Sequence, residues 1–472
     1  MLPIILSCLS VVEGGTLVKI VVCIRRGLDG EISPFDAAAY EAALRIEGAE
    51  VTRRSMAPPS AKEFLHALTR LGAARAVLLS DAAFAGADTL ATAYALSLAI
   101  KRLSPDLVLC GRQTMVGDTA QTGAMLAALA GYALVSNVMT LSVSDTAVCC
   151  GTRNEGEATV ALPALLTVER IHALRLPRLR SPLGEILVWN AKDIGADTSK
   201  CGLAGSPTRV LQTFENEAGR RACRFVQRAA LSDIVREALQ MNREKAAVKK
   251  SEARLPCVCI VGEAPRSFAE SVSDNVLLLP LGEETEIIAA LREINPDAVL
   301  FGSDDKSKRL AATVAAKMSL GLCADCTALD VADGELLMYR PALSGSVMAK
   351  IKSLSRPAMA TVRTVSGDVQ DVVVCAGFGV KDKLPAVRAL VKELGATLVT
   401  TRKMVDNGFL PYELQVGLTG KTVSPPVYIA IGVFGAVHHI AGMQRAGTVI
   451  AINPDRSAPI FDYADFGIVG EF

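Results

Sequence analysis

Residues Val427 to Asp455 read VYIAIGVFGAVHHIAGMQRAGTVIAINPD, and this stretch decides the fold. VYIAI is an unbroken apolar run, the signature of a strand buried on both faces. Gly432-Val-Phe-Gly435 supplies a turn, Ala436 to Met443 a helix, and TVIAI a second buried strand that stops at Asn453 and Asp455. Strand, glycine turn, helix and strand make a βαβ unit. The N–H groups at the helix start are unpaired and partly positive, which suits a pyrophosphate. Gly432 and Asp455 also stand at about the twenty-residue spacing at which a strand-end acid meets an adenosine ribose.

The rest of the composition agrees with layered α/β architecture. At 472 residues the chain exceeds one compact core. Half of it is hydrophobic but only 4% is aromatic, as in parallel sheets covered on both faces. Fifty basic residues against forty-nine acidic ones give nucleic acid or an anionic membrane no electrostatic advantage. Apolar runs break before the roughly 18 residues of a membrane span. The opening MLPIILSCLSVVEGGT lacks a basic flank and a small-residue cleavage site, so residues 1–16 read as an extension rather than a secretory signal. Twelve scattered cysteines in such a chain imply reduced thiols and a cytoplasmic location. Cys323-Ala-Asp-Cys326 has no second pair and no histidine partners, so no metal site is expected.

An internal repeat organises the first two thirds. Ser104 to Arg112 reads SPDLVLCGR and Asn295 to Ser303 reads NPDAVLFGS. Each follows a helical pattern (ALSLAIKRL, EIIAALREI) and precedes an Ala-rich helix and a Gly-led strand, GYALVSNVMTL or GLCADCTAL. Between the copies, Leu231, Ile234, Val235, Ala238 and Leu239 form one helical stripe before the charged REKAAVKKSEAR, which reads as a tether or the continuation of a surface helix. After Arg363 the pattern restarts with a strand (DVVVCAGFGV), a helix (LPAVRALVKELGA) and a further strand (LVTTRKMVDNG).

Candidate binding residues cluster near strand ends. Gln415 to Thr422, QVGLTGKT, is no phosphate loop, because GxxxxGK[ST] requires Gly where Gln415 stands. Its glycines still allow a flat ring to approach the backbone. Arg402 is always charged and suits a negatively charged reduced ring, although an isolated Arg is more often a solvated surface group. His438 and His439 read as one packed and one solvated side chain, and neither a Ser-His-Asp order nor a GxSxG elbow accompanies them. This last domain therefore holds a cofactor rather than hydrolysing a substrate. In the first half, Arg112 to Gly123 reads RQTMVGDTAQTG, where Asp118, Thr119, Gln121 and Thr122 either cap a helix or bond a nucleotide.

From Val18 onward the chain resembles the electron-transfer flavoproteins, with the small (beta) subunit's sequence fused ahead of the large (alpha) subunit's. RKMVDNGFLPYELQVGLTGKTVSPPVYIAIGVFGAVHHIAGM and VIAINPDRSAPIFDYADFGIVGE resemble the large subunit's FAD-binding signature. NPDAVLFGS, ADCTALDV, RPALSGSVMAKI and ATVRT resemble its preceding domain, while DLVLCGRQTMVGDTAQTGAMLAALAG, LPALLTVE and GLAGSPTRV resemble the small subunit. The expected fold is two related doubly wound nucleotide-binding-like α/β domains plus a C-terminal α/β FAD-binding domain. The expected boundaries are 1–16 (extension), 17–214 (beta-like), 215–254 (helical linker), 255–365 (alpha-like, lacking its first strand–helix unit) and 366–472 (FAD-binding).

The resemblance implies a carrier that moves electrons from an acyl-CoA dehydrogenase-type flavoenzyme of fatty acid oxidation to a quinone reductase or similar acceptor. It sets Thr401 and Arg402 against the isoalloxazine, with the run Gln415, Val416, Gly417, Leu418 and Thr419 along the ring. His439 falls at the pyrimidine edge, and Phe434, Gly435, Ala436, Val437 and His438 at the diphosphate. Asn453 falls on the adenosine side, where the spacing argument favours Asp455, and Glu471 replaces a late Asp. In the first half it implies AMP, or a second FAD in the NADH-oxidising, electron-bifurcating branch, at Ser33, Phe35, Gln113, Asp118, Thr119, Gln121, Thr122 and Gly123. Leu179 is implied as the partner-binding residue. The family's usual Gly-Arg-Gly is here Gly377-Phe378-Gly379, and its usual Ser and Gln are Phe434 and His438. A nucleotide-binding scaffold without flavin function is the reading those changes motivate.

Overall fold

The computed structural model describes residues 18–27, 30–72, 75–114, 117, 119–153, 155–169, 171–177, 180–215, 220–242, 251–342, 347–363, 370–417 and 420–472. They fall into two compact units. The first comprises Met1–Gln212, Ser251–Arg340 and Lys350–Val362, and the second Thr213–Lys250, Pro341–Ala349 and Arg363–Phe472. Among the described residues no helix is long and apolar enough to cross a membrane.

Two sheets lie wholly within the first unit. In the nine-stranded one, the strand Lys19–Cys23 lies between Glu50–Met56 and Leu107–Gly111, parallel to both. Connections from the central strand and from Leu107–Gly111 leave in opposite directions, which opens a crevice beyond Cys23 and Gly111. The second sheet has five strands, with Val258–Val261 and Ala298–Phe301 paired in parallel at its centre.

The repeat read from the sequence is visible atom by atom. Ser104 and Asn295 end their helices with left-handed φ of 45° and 48°. Asp106 and Asp297 then accept hydrogen bonds from the N–H groups of Lys19 (2.8 Å) and Cys257 (3.0 Å), tying each second strand to its first. Further on, Asn137 and Asp325 both have positive φ, and their N–H groups bond Thr167 Oγ1 (3.0 Å) and Thr361 Oγ1 (2.8 Å). The two halves share a core: the helices Thr122–Ala130 and Asp305–Met318 pack together, and Val108, Met125, Val299 and Ala312 belong to one buried cluster.

The second unit is a six-stranded parallel sheet in the order Arg224–Phe225, Phe466–Val469, Thr448–Asn453, Val427–Ile431, Val372–Ala376, Thr397–Thr400. Its five C-terminal strands run 2-1-3-4-5, so the switch point lies between Val372–Ala376 and Val427–Ile431. The helix Leu231–Asn242 buries Leu231, Ile234, Val235 and Ala238 against this sheet, in the same cluster as Val374 and Ile429, as its periodicity predicts. One element differs from expectation. LVTTRKMVDNG is not all strand: pairing stops where Thr400 meets Ala376, the last residue of the neighbouring strand. Beyond it Arg402–Asp406 turns into a short helix that buries Met404 and pairs Arg402 with Asp406 at 3.2 Å.

At the first unit's switch point, Asp36 accepts the N–H of Arg25 (2.9 Å) and of Gly111 (3.2 Å), joining the ends of two strands to the helix Pro34–Leu44. Gly111 must be glycine, since a Cβ would lie 2.3 Å from Asp36 Oδ1. Burial pushes the Asp36 carboxyl up to about 7. The folded chain then holds a proton that the unfolded chain releases near pH 4, so this residue's contribution to stability is greatest below that value and falls as pH rises towards 7. In thermal melts between pH 4 and 8, the difference between the unsubstituted chain and Asp36→Asn should shift against the unsubstituted chain as pH rises.

Candidate functional site

The C-terminal switch point is a meeting of backbones. The N–H of Gly377 donates to Ile431 O (2.8 Å), and that of Gly379 to Gly432 O (3.1 Å). A Cβ on Gly377 would lie 2.1 Å from Gly432 O, and one on Gly435 would lie 2.2 Å from the Ile460 nitrogen. Gly432 and Gly435 have φ of 62° and 99°, the left-handed region that favours glycine. The turn Gly432-Val-Phe-Gly435 therefore exposes backbone where a phosphate approaches. Asn453 braces it, donating through Nδ2 to Val433 O (2.9 Å) and accepting Asp455 N–H on Oδ1 (2.9 Å). Phe434 is 64% exposed and Val437 43%, beside the helix Val437–Met443 capped by Ala436.

Gln415 bridges Thr400, and Val416 bridges Lys421. Val416 N–H donates to Thr400 O (2.9 Å), and Lys421 N–H returns to Gln415 O (2.8 Å). Gly417 lies against the helix: a Cβ there would be 2.8 Å from His438 O, and one on Gly442 would be 2.4 Å from the Gly417 nitrogen.

The two histidines part company. His439 is buried, with Nδ1 3.2 Å from Val416 O and Nε2 3.1 Å from the Tyr428 hydroxyl. A carbonyl only accepts, so Nδ1 carries the proton and Nε2 accepts from Tyr428. Burial holds His439 down at about 4, hence neutral at physiological pH. His438 is half-buried, and its Nε2 has no hydrogen-bond partner among the described residues. Burial and then the nearby Arg402 guanidinium push its pKa down. Thr401 Oγ1 is likewise buried without a partner. Two orphaned polar atoms beside a glycine cradle fit a polar, phosphate-bearing ligand such as a flavin dinucleotide.

Not every expected contact joins this group. Asp455 bonds Ser457 through N–H (2.8 Å) and Oγ (2.6 Å), and Glu471 pairs with Lys383 at 2.7 Å. Leu418 and Thr419 lie outside the described residues, as do Asp118, Leu179 and the 1–16 extension. Sequence reasoning missed Tyr428. Its signal was a lone hydroxyl inside an otherwise aliphatic strand.

The first unit's crevice has the same character. Ser33 Oγ, Gln113 Nε2 and both amide atoms of Gln121 are buried with no hydrogen-bond partner among the described residues. Gln121 occupies the N-cap of the helix Thr122–Ala130 without making a side-chain cap bond, so capping does not account for it. Gly123 lets that helix approach its neighbouring strand, since a Cβ would lie 2.6 Å from Thr167 Cγ2. Thr119 and Thr122 are half-buried beside it. Arg112 lies over the Phe35 ring at 5.5 Å, and both Arg112 (3.1 Å) and Arg153 (2.9 Å) pair with Glu169, an excess of positive charge. Fully buried Arg54, in register with Cys23, adds to it; burial lowers its pKa to about 10, which leaves it charged.

Two switch-point crevices, one glycine-lined and one cation-rich, define a doubly wound α/β protein. Comparison with known proteins gives the family. Residues 20–192 and 278–382 match the electron transfer flavoprotein domain, and 368–444 match the electron transfer flavoprotein FAD-binding domain. The electron transfer flavoprotein subunit alpha of Thermoanaerobacterium thermosaccharolyticum is 34% identical over 249 residues, covering 42% of this chain and 76% of that protein. Protein FixA of Azorhizobium caulinodans is 40% identical over 214 residues, covering 41% and 76%. Protein FixB of Clostridium saccharobutylicum is 36% identical over 234 residues, covering 40% and 70%. The chain belongs to the electron transfer flavoprotein family.

This geometry has two measurable consequences. Tyr428→Phe removes the hydroxyl donor from His439 Nε2, leaving only the weak Cys375 thiol at 3.8 Å, and should cost about 1–2 kcal/mol in denaturant unfolding. By NMR, His439 should remain neutral as pH falls to about 4. The unfolded chain takes up that proton near pH 6.5, so this residue's contribution to stability is lost as pH falls from 6.5 towards 4.

Proposed function

We propose that this chain is a single-chain electron carrier, a small-subunit-like half fused ahead of a large-subunit-like half, with FAD held at the C-terminal switch point. The observation that carries the reading is the Gly377–Gly432 backbone contact beside the orphaned Thr401 Oγ1 and His438 Nε2. The fusion is supported by the two separate matches to the family domain, and by relatives with different names, an electron transfer flavoprotein subunit alpha and a FixA protein, each covering about two fifths of the chain.

When bound, FAD supplies the ring that takes up and releases electrons, and the chain supplies binding, orientation and electrostatics. The turn 432–437 offers backbone N–H groups to the diphosphate, and Asn453 keeps that turn in shape. Thr401 and Arg402 would hold the isoalloxazine; Leu418 and Thr419, expected beside them, lie outside the described residues. His439 acts from behind: its proton stays on Nδ1, so it fixes Val416 and the ring-lining segment rather than exchanging protons. Electrons arrive from an acyl-CoA dehydrogenase-like flavoenzyme that docks at Leu179 and leave to a quinone reductase or similar acceptor. AMP occupies the first unit's crevice against Gln113, Gln121 and Ser33.

A second reading keeps the C-terminal FAD and puts a second FAD in the first crevice, in a protein that bifurcates electrons from NADH. The unpartnered Gln121 amide and the excess cations there favour a nucleotide and suit either occupant. Chromatography of nucleotides released from the denatured, purified chain separates the cases. One FAD, with or without one AMP, supports the carrier, and two FADs move the assignment to bifurcation. No flavin, even after incubation with FAD, overturns both readings and favours a scaffold in which Phe378 and Phe434 block the cofactor.

A further inference from the structure

We infer that Lys403, its ammonium seated on the face of Phe378, is a counter-charge for the dinucleotide bound at the C-terminal switch point. The inference rests on the FAD reading above. Lys403 Nζ lies 4.2 Å from the Phe378 ring centre, and Lys381 Nζ lies 5.4 Å from the same ring. Phe409 meets that ring edge-on at 6.0 Å. Phe378 stands between Gly377 and Gly379, whose N–H bonds to Ile431 O and Gly432 O pin this loop across the mouth of the crevice. The ring is therefore a fixed seat, and the flexible lysine stem is held rather than free.

Charge accounting singles this lysine out. Among the described residues of this loop and helix, Arg402 pairs with Asp406 at 3.2 Å, Lys383 with Glu471 at 2.7 Å, and Lys381 with Asp382 at 3.8 Å. Lys403 has the aromatic face and, among the described residues, no carboxylate partner. A cation on a ring keeps its full charge and most of its hydrogen-bonding capacity, which leaves it available to an incoming anion. It also adjoins Arg402, so two cations leave the end of the strand Thr397–Thr400 together. Phe378, which reads in sequence as an obstacle to the cofactor, becomes the part that positions a positive charge there.

The test is FAD affinity of the flavin-free full-length chain, followed by flavin fluorescence at low and at about 1 M salt. Lys403→Met should weaken binding on the order of five-fold at low salt, the effect of one charge acting through partly solvated protein. The difference should largely vanish at about 1 M, where screening is nearly complete. Lys403→Arg should retain the affinity. Phe378→Leu should lose part of it, because the ammonium is no longer held. Lys392→Met, which removes an equal charge from the exposed side of the helix Leu384–Glu393, should leave it unchanged. Equal affinities for Lys403→Met and Lys392→Met would overturn the inference while leaving the FAD reading intact. Failure of the unsubstituted chain to bind FAD would overturn both.

Discussion

The C-terminal unit depends on one close approach, between the backbone at Gly377 and the backbone at Gly432. Two strands of a parallel sheet end side by side, and the loops that leave them diverge to opposite faces. For the loops to part only after touching, Gly377 cannot carry a Cβ, and Gly432 must adopt a left-handed φ. That contact constrains the chain on either side of it. Phe378 is placed on the rim, Gly435 is pressed against Ile460, and the helix Val437–Met443 starts with its backbone donors towards the crevice. Asn453 holds the turn from the neighbouring strand, so the cradle exists before any ligand arrives. A site formed in advance loses less entropy on binding.

The first unit reuses one framework twice. The αL residue, the Pro-Asp step and the aspartate that ties two strands recur at Ser104–Asp106 and Asn295–Asp297, and the positive-φ residue bonded to a threonine recurs at Asn137 and Asp325. The copies differ where chemistry is expected. The first has Gln113 Nε2 and both Gln121 amide atoms buried without a hydrogen-bond partner among the described residues. At the matching end of the second, Asp304 caps its helix through a bond to Ser307 N–H at 2.9 Å. A satisfied cap has no need of a ligand, whereas a buried, unsatisfied amide does.

Much of this was legible in the sequence because the signals were local. Buried apolar runs, glycine turns and the SPD/NPD repeat identified the sheets and their duplication, and the apolar stripe identified the helix from Leu231. The end of the strand at Thr400 was not legible, because it is set by where its neighbour stops. Nor were the histidine roles. Adjacent residues on a helix point about 100° apart, so His438 and His439 had to differ, but which one enters the core depends on Tyr428, on the sheet face that the helix covers. Phe378 and Lys403 are far apart in sequence, and their pairing could be found only in three dimensions.

The most direct test of the account is amide hydrogen exchange of the flavin-free chain with and without FAD, resolved by peptide. The account requires protection concentrated in 377–383 and 432–443, the two loops that part at the switch point. Protection confined to other segments, or no change on adding FAD, would contradict it.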